Sequence, residues 1–484
     1  MTMVGDIVVV EDAVSTKARK RDPLYVDRVR VYPKRVHGTF RRVKWAALIV
    51  LLAIYYIAPW LRWDRGPGAP DQAFLIDMPN RRAYFLWLEI WPQEVYFLMG
   101  LLIIAAFGLF FVTSLAGRVW CGYACPQTVW TDLYMWVERL IEGDRNARIK
   151  LDAAPLSAGK LAIKSTKHGA WLAIAALTGG AWIMYFNDAP TVIGALVTGA
   201  VSLKVTFFFG LFTATTYLLA GWSREQVCTY MCPWPRFQSA MFDEDTYVVT
   251  YQAWRGEPRG KRKKGESWEG RGHCVDCNQC VAVCPTGIDI RDGSQLECIG
   301  CGLCIDACDG VMSKVGLPSH LITLDTQSHQ AARTAGRPLR YRVVRPRTIL
   351  YAALLLLASG LMAAGLAART TSEVTVQHER NPLFVTLSDG AIRNDYTIKI
   401  LNKERLARHF VVSVEGLAGA RVWIEGQEGL ALAAAADAVT TARVHVAVPG
   451  AAAPAGSSEI VVAITDIASN ATARHGSVFV GPER

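Results

Sequence analysis

The chemistry of this chain is concentrated in eight cysteines between positions 274 and 308. They form two runs with the spacing C-x2-C-x2-C-x3-C, one from Cys274 to Cys284 and the other from Cys298 to Cys308. In bacterial ferredoxins each such run supplies three thiolates to one 4Fe–4S cluster, and its fourth cysteine ligates the neighbouring cluster. The spacing therefore predicts two interlocked clusters, one on Cys274, Cys277, Cys280 and Cys308, the other on Cys298, Cys301, Cys304 and Cys284.

Two other uses of clustered cysteines fit this pattern less well. Zinc sites favour paired C-x2-C knuckles separated by a longer loop. A disulfide framework requires an oxidising compartment, whereas the membrane topology below places these cysteines in the cytoplasm. Pro285 follows Cys284, but Asp309 takes the corresponding position after Cys308, which alters the turn and leaves the number of ligands unchanged.

The remaining four cysteines belong to a repeated motif, C-x-Y-x-C-P. Its first copy contains Cys121 and Cys125, and its second contains Cys228 and Cys232. Each copy follows an apolar segment, so a duplicated two-helix unit would place both motifs side by side at one membrane surface. Four converging thiols suit Cu(I), Zn(II), iron or a transient dithiol–disulfide couple. The alternative is that they are buried thiols that only pack.

The composition indicates a membrane protein. Of 484 residues, 51% are hydrophobic and only 19% are charged. The formal net charge of +10 comes from Lys and Arg beside apolar segments, which is typical of membrane orientation and not of nucleic-acid binding. The sequence contains no C-x-x-C-H haem motif, Walker loop or Rossmann fingerprint, so we predict electron transfer without haem, nucleotide or flavin.

Five apolar segments are long enough to cross a bilayer: Lys44–Leu61, Val95–Ala116, Gly169–Asn187, Val201–Trp222 and Thr348–Ala367. Basic residues precede the odd-numbered segments and follow the even-numbered ones. The positive-inside rule then places the N-terminus, residues 117–168 and residues 223–347 in the cytoplasm of a bacterium, and the C-terminal part in the periplasm. We expect residues 1–43 to be a flexible arm and residues 62–94 to be a periplasmic loop without chemistry.

The predicted organisation is a multi-domain protein of the inner membrane with a five-helix transmembrane bundle. Residues 1–43 are a cytoplasmic arm, and residues 44–232 form four transmembrane helices with both C-x3-C-P motifs. Residues 233–347 are cytoplasmic and hold a two-cluster, ferredoxin-like α+β domain at about 265–318. Residues 348–367 form the fifth transmembrane helix. Residues 370–484 form a periplasmic, all-β immunoglobulin-like sandwich.

The sandwich is predicted from short alternating or β-branched runs separated by turn residues. The runs are Glu373–Val376, Leu383–Leu387, Tyr396–Leu401, Phe410–Val414, Arg421–Ile424, Ala442–Val448, Glu459–Thr465 and Gly476–Val480. This domain contains no cysteine, and we expect it to contact another protein. Its four histidines are compatible with copper ligation, but scattered single histidines are more often surface or core residues. They are His378, His409, His445 and His475.

With these features the chain resembles the CcoG/FixG/RdxA family of cytochrome c oxidase accessory proteins. The resemblance lies in the segments Cys274–Arg291 and Gln295–Met312, both C-x-Y-x-C-P motifs, Arg236-Phe237-Gln238, residues 255–260 and the C-terminal sandwich. Asp309 is part of the family pattern. The resemblance implies a role in assembling the cbb(3)-type haem–copper oxidase through reduction of Cu(II) to Cu(I). Its implied partners are oxidase subunits and copper-delivery proteins.

Three functions remain open on the sequence. In the first, an oxidoreductase, the clusters supply electrons while Cys121, Cys125, Cys228 and Cys232 bind copper or relay the electron to it. The second is a ferredoxin-type quinol dehydrogenase, similar to membrane subunits of periplasmic nitrate reductase systems, which generally lack the sandwich. The third is a non-catalytic assembly scaffold. The electron donor is either a cytosolic protein or quinol, and the sequence is compatible with a homo-oligomer.

Overall fold

The computed structural model describes residues 30–66, 68–261, 268–370 and 372–482. Contacts within the chain define two compact units. The first extends to Ser359, and the second begins at Gly360 and also includes Arg65–Ala69.

Helices dominate the first unit. Their bounds are α1 Thr39–Ile57, α2 Tyr96–Ala116, α3 Val119–Tyr123, α4 Pro126–Glu142, α5 Arg145–Ala153, α6 Ala158–Met184, α7 Ala189–Thr198, α8 Leu203–Thr216, α9 Trp234–Met241, α10 Ala253–Gly256, α11 Gln279–Val283, α12 Leu303–Val315, α13 Gln327–Thr334 and α14 Pro346–Ala367, the last of which continues into the second unit. Two π-helical segments, Tyr217–Ser223 and Val227–Met231, follow α8.

Four helices in the described ranges are long and apolar enough to cross a membrane. They are Thr39–Trp60, Pro92–Ala116, Leu203–Ser223 and Pro346–Ala367. Each coincides with one of the five predicted segments. The other, Gly169–Asn187, overlaps α6, in which the apolar residues are preceded by Lys160, Lys164 and Lys167 and are interrupted by glycines. The fifth span and the orientation of all spans therefore stay predictions.

Two small antiparallel sheets complete the first unit. The first contains β1 Phe74–Asp77, β2 Arg82–Phe85 and β3 Leu88–Ile90, in that order. The interpretation of residues 62–94 as a loop missed it, because strands of three or four residues give little alternation to detect. The second sheet pairs β4 Val248–Tyr251 with β5 Ile322–Asp325. It packs with α12 around buried Ile305 and Met312, which gives the cysteine-rich module its α+β core.

The second unit is a sandwich of two antiparallel sheets. Its strands are β6 Ser372–His378, β7 Val385–Thr386, β8 Ile392–Asn402, β9 Arg408–Glu415, β10 Arg421–Ile424, β11 Ala431–Ala434, β12 Ala438–Val448, β13 Ser457–Asp466 and β14 Thr472–Val480. One sheet has the order β10-β12-β8-β6 with β7 beside β8, and the other has the order β11-β9-β13-β14. Alternate residues of the strands, such as Ile398, Val412 and Val446, fill the space between the sheets.

The predicted strand pattern agrees with these sheets except at β11. That strand lies in an alanine-rich stretch, and alanine has little preference for strands. Two of the four histidines hydrogen-bond to side chains within the sandwich: His378 to Asn394 at 2.8 Å and His445 to Asp395 at 2.7 Å. These contacts give both histidines a structural role.

The expectation of a flexible N-terminal arm is wrong for residues 30–43, and residues 1–29 lie outside the described ranges. The Lys34 amide donates to the Ala282 carbonyl at 2.8 Å. The amides of Phe40 and Arg41 donate to the Asp306 carboxylate, which lies in α12. This segment therefore runs across the cysteine-rich module before it enters α1.

Carboxylates on α4 hold several elements of the first unit together. Glu138 is 1% exposed and pairs with Arg224 at 3.0 Å and with Arg148 at 2.8 Å. Lys167 on α6 pairs with Glu142 at 2.9 Å. Burial opposes the negative charge of Glu138, but these cations outweigh it and hold its pKa at about 2.

We predict that Glu138→Gln destabilises the protein by about 3–5 kcal/mol at neutral pH, because it leaves buried cations without their counter-ion. The folded-state pKa lies below the ordinary value of 4.5, so the stabilisation is present above pH 4.5 and is lost between pH 4.5 and 2. Denaturation in neutral detergent would measure it, with the exposed Glu244→Gln as control. Equal stability of the two variants at pH 7 would contradict the prediction.

Candidate functional site

The eight cysteines of the ferredoxin-type module lie in two helices, α11 and α12, and in the segments directly beside them. Cys274 and Cys277 precede α11, Cys280 lies within it, and Cys284 follows it directly. Cys298 and Cys301 precede α12, whereas Cys304 and Cys308 lie on its successive turns. Gly302, at φ 71°, turns the chain into α12 beneath the Phe40 ring, where a side chain would collide.

The structure brings the fourth cysteine of each run towards the other run. The pKa of the Cys308 thiol is raised to about 12, mainly by burial and also by the charges of Cys280, Asp309, Cys277 and Cys274. Burial likewise raises the pKa of the Cys304 thiol, and the charges of Cys301, Cys298 and Cys284 contribute to this rise. A cavity is lined by Cys284, Cys298, Cys301 and Cys304 together with Cys280.

These thiols fit iron–sulfur clusters. The donor set is sulfur only, which suits soft metals and disfavours Mg²⁺ or Ca²⁺. Among the described residues, no group of three or more His, Cys, Asp or Glu side chains is arranged so that it could hold a single metal ion. None of the twelve cysteines forms a disulfide.

The four cysteines of the C-x-Y-x-C-P motifs also converge. Cys121 lies in α3, and Cys125 is the extended residue before Pro126 at the start of α4. Cys228 lies in the second π-helical segment, and Cys232 follows it in an extended conformation. The Cys228 thiol interacts electrostatically with the other three, and after burial these interactions raise its pKa to about 12.

The thiols differ in their access to solvent. Cys232 is exposed, whereas the other three are partly buried. Burial raises the pKa of Cys121 to about 11, although its thiol donates a hydrogen bond to Gln238 Oε1 at 3.3 Å. Gln238 was not singled out as a site residue, but the segment Arg236-Phe237-Gln238 was part of the resemblance.

The first motif packs directly against the second cysteine run. The Tyr123 hydroxyl donates to the Cys301 carbonyl at 2.9 Å. A Cβ on Gly122 would lie 3.0 Å from the Ile299 carbonyl oxygen and 3.1 Å from the Cys301 Cα, so any other residue would require this backbone to move away by a few tenths of an ångström. Cys121 and Cys228 both pack against the apolar cluster that contains Ile299 and Cys301.

Two cations at this contact were not predicted from the sequence. Arg118 donates to the Cys298 and Pro235 carbonyls, each at 3.0 Å, and also to the Leu296 carbonyl. Lys44 is 4% exposed, and its charge opposes the rise in pKa that burial causes at Cys301 and Cys228. Both residues flank apolar segments in the sequence, where a basic residue indicates only membrane orientation.

Together the apolar helices and the cysteine-rich module define a membrane-associated iron–sulfur protein. Family models agree: a 4Fe-4S dicluster domain matches residues 223–327, a 4Fe-4S binding domain matches residues 98–143, and the Ig-like fold at the C-terminus of FixG matches residues 362–482. The first two models between them cover both C-x-Y-x-C-P motifs.

The chain belongs to the FixG/RdxA family. It is 50% identical over 465 residues to the nitrogen fixation protein FixG of Rhizobium meliloti (strain 1021), with 89% of each chain covered. It is 49% identical over 449 residues to protein RdxA of Cereibacter sphaeroides, covering 92% of this chain and 94% of RdxA. A third relative, the ferredoxin-type protein NapH of Haemophilus influenzae, is 27% identical over 222 residues, covering 43% of this chain and 65% of NapH.

The assignment of ligands to individual clusters stays a prediction, and serine substitutions of the two fourth cysteines test it. Cys308→Ser should first alter the cluster on Cys274, Cys277 and Cys280, whereas Cys284→Ser should first alter the other. Electron paramagnetic resonance of the reduced full-length protein would distinguish the two signals, because each reports its own ligands. Loss of the same signal in both variants would contradict the assignment.

Proposed function

We propose that this protein is a membrane-bound cupric reductase that supports assembly of a cbb(3)-type cytochrome c oxidase. Its substrate is Cu(II), and the C-x-Y-x-C-P thiols are where Cu(II) is reduced. The observation that carries the proposal is the contact between Gly122–Tyr123 and the Cys301 loop, with a hydrogen bond of 2.9 Å. It joins the thiols to the ferredoxin-type module through backbone atoms.

The chemistry requires one electron for each copper ion. When bound, the two 4Fe–4S clusters supply one-electron transfer. Each Cu(II) gains one electron to become Cu(I). A cytosolic reductant supplies one electron for each Cu(II), or one quinol supplies the electrons for two Cu(II) and is oxidised to quinone with release of two protons. Thiolate sulfur binds Cu(I) in preference to hard cations, so the proposed site favours the product oxidation state.

The chain's own residues prepare the site for this reaction. Exposed Cys232 gives copper an entry point, and the partly buried Cys121, Cys125 and Cys228 lie behind it. Gln238 is fully buried and orients the Cys121 thiol through its hydrogen bond. Lys44 places a positive charge close to both Cys301 and Cys228, where it stabilises added negative charge.

The relatives support a redox role within this proposal. FixG carries the name nitrogen fixation protein, and the resemblance to the CcoG/FixG/RdxA family implies copper reduction for oxidase assembly. Two family models for 4Fe-4S binding cover the thiols and the ferredoxin-type module. The proposed partners are oxidase subunits and copper-delivery proteins at the inner membrane.

We predict that the double variant Cys125→Ser, Cys232→Ser reduces Cu(II) about 10–100-fold more slowly than the wild type, as is typical when metal-site residues are removed. The measurement is Cu(I) formation by the anaerobic, prereduced full-length protein. Tyr230→Phe is the matched control, because Tyr230 lies in the same motif, is 75% exposed and carries no sulfur. An undiminished rate with both clusters intact would remove these thiols from the mechanism.

Gly122→Ala tests the contact itself. Its Cβ would force the Ile299–Cys301 backbone away, a strain of about 1–3 kcal/mol, and we predict slower Cu(II) reduction at unchanged iron content. Gly159→Ala in α6 is the control, because nothing lies within 4 Å of a Cβ there. If Gly122→Ala reduced copper as fast as Gly159→Ala, the contact would not be the electron path.

A second function, quinol dehydrogenase, is favoured by one observation, the similarity to the ferredoxin-type protein NapH over 222 residues. In this alternative, quinol loses electrons to the ferredoxin-type module and copper has no part. Quinol oxidation by the purified protein in the absence of copper, at a rate unaffected by Cys125→Ser, Cys232→Ser, would favour it over the cupric reductase.

A further inference from the structure

A cavity of about 820 Å³ opens where the N-terminal segment meets α1 and α4. Five cations line it, and Asp132 is the one carboxylate among its lining residues. The cations are Lys34, Arg35, Arg41, Arg42 and Arg139. The residues that line the cavity therefore carry a large excess of positive charge.

The single carboxylate is already used. Arg41 Nη1 donates to both Asp132 oxygens at 2.9 Å, while Arg41 Nη2 is buried without a hydrogen-bond partner. Arg139 forms no ion pair with any residue in the described part of the chain. The pKa of Arg139 is lowered to about 10, mainly by burial and also by the charges of Arg41 and Arg148, although the charges of Asp132 and Asp144 oppose the shift. A bound anion would give both guanidinium groups a hydrogen-bond acceptor and a counter-ion.

The cavity also has an apolar wall at the start of a membrane span. Arg41 and Arg42 lie in the first turn of the apolar helix Thr39–Trp60. Trp45 and Trp136 meet edge to face with ring centroids 6.0 Å apart, and the adjacent Leu140 is 71% exposed. Tryptophan is enriched where a protein passes from headgroups to acyl chains.

We propose that this cavity binds the phosphate of an anionic phospholipid, with the guanidinium groups around the headgroup and the acyl chains along Trp136 and Leu140. Arginine pairs with phosphate through two parallel hydrogen bonds, and basic pockets between membrane helices bind anionic headgroups. Because Pro285 and Leu303 also line the cavity, the lipid would contact the ferredoxin-type module beside Cys284 and Cys304.

The test is lipid binding to the full-length protein in neutral detergent. Phosphatidylglycerol, phosphatidylcholine, glycerol 3-phosphate and inorganic phosphate are titrated separately, and dissociation constants are measured by native mass spectrometry and thermal shift. We expect phosphatidylglycerol to bind at least about tenfold more tightly than the other three, because only it combines net negative charge with acyl chains. Equal binding of phosphatidylcholine would overturn the proposal. Equal binding of inorganic phosphate would identify a site for a soluble anion instead.

Variants locate the binding. Arg139→Gln should raise the dissociation constant for phosphatidylglycerol about tenfold, the usual effect of losing a charge-assisted hydrogen bond, and Arg139→Lys should restore part of it. Arg342→Gln is the matched control, because Arg342 is exposed and precedes another apolar helix, α14, outside the cavity. Unchanged iron content would show that each variant folds. The same affinity in Arg139→Gln and Arg342→Gln would overturn the proposal, whatever the outcome of the copper experiments.

Discussion

The close approach of the Gly122 backbone to the Ile299–Cys301 backbone is the constraint on which the rest of the site depends. A side chain at Gly122 would push apart two segments that are distant in the sequence. Tyr123 and Cys301, whose hydrogen bond lies beside this contact, are 178 residues apart in the chain. Arg118 adds bonds from the same turn to the Cys298 and Pro235 carbonyls, so one guanidinium holds three segments. Backbone atoms and a planar guanidinium make this junction stiff, because neither has the rotamer freedom of a long apolar side chain. The distance between the two thiol sets is therefore set by the fold.

Buried ion pairs also fix neighbouring elements in place around α4. Asp132, Glu138 and Glu142 all face the protein interior, and each is met by cations from other elements. A buried ion pair contributes little net stability compared with apolar packing, but breaking one is costly. Such pairs therefore select one arrangement of the N-terminal segment, α5 and α6. This explains why a helix that begins at the first motif carries so many carboxylates on its buried face.

Local pattern in the sequence was sufficient for much of the fold, and long-range contact accounts for what it missed. Cysteine spacing is a local property of the sequence, and it was enough to identify both cysteine runs. In the structure, the fourth cysteine of each run lies near the other run. Four spans and most of the sandwich strands follow from apolar length and alternation. In contrast, Lys44 and Arg118 look like ordinary flanking basic residues, and only the fold reveals that they face thiols and carbonyls. Residues 30–43 were misjudged for the same reason, since their partners lie in α12 and α4.

The two C-x-Y-x-C-P motifs have the same sequence pattern but differ in conformation and in contacts. Tyr123 in the first copy donates to the Cys301 carbonyl, whereas Tyr230, its counterpart in the second copy, is 75% exposed. The first copy is α-helical as far as Tyr123, whereas the second is π-helical as far as Met231, a geometry that is often found at functional sites. Cys232, the second cysteine of that copy, is exposed, whereas its counterpart Cys125 is partly buried. The first cysteines of both copies, Cys121 and Cys228, pack against the apolar cluster that contains Ile299 and Cys301. In the proposed reductase, the first copy is thus placed to receive the electron and the second to receive the metal ion.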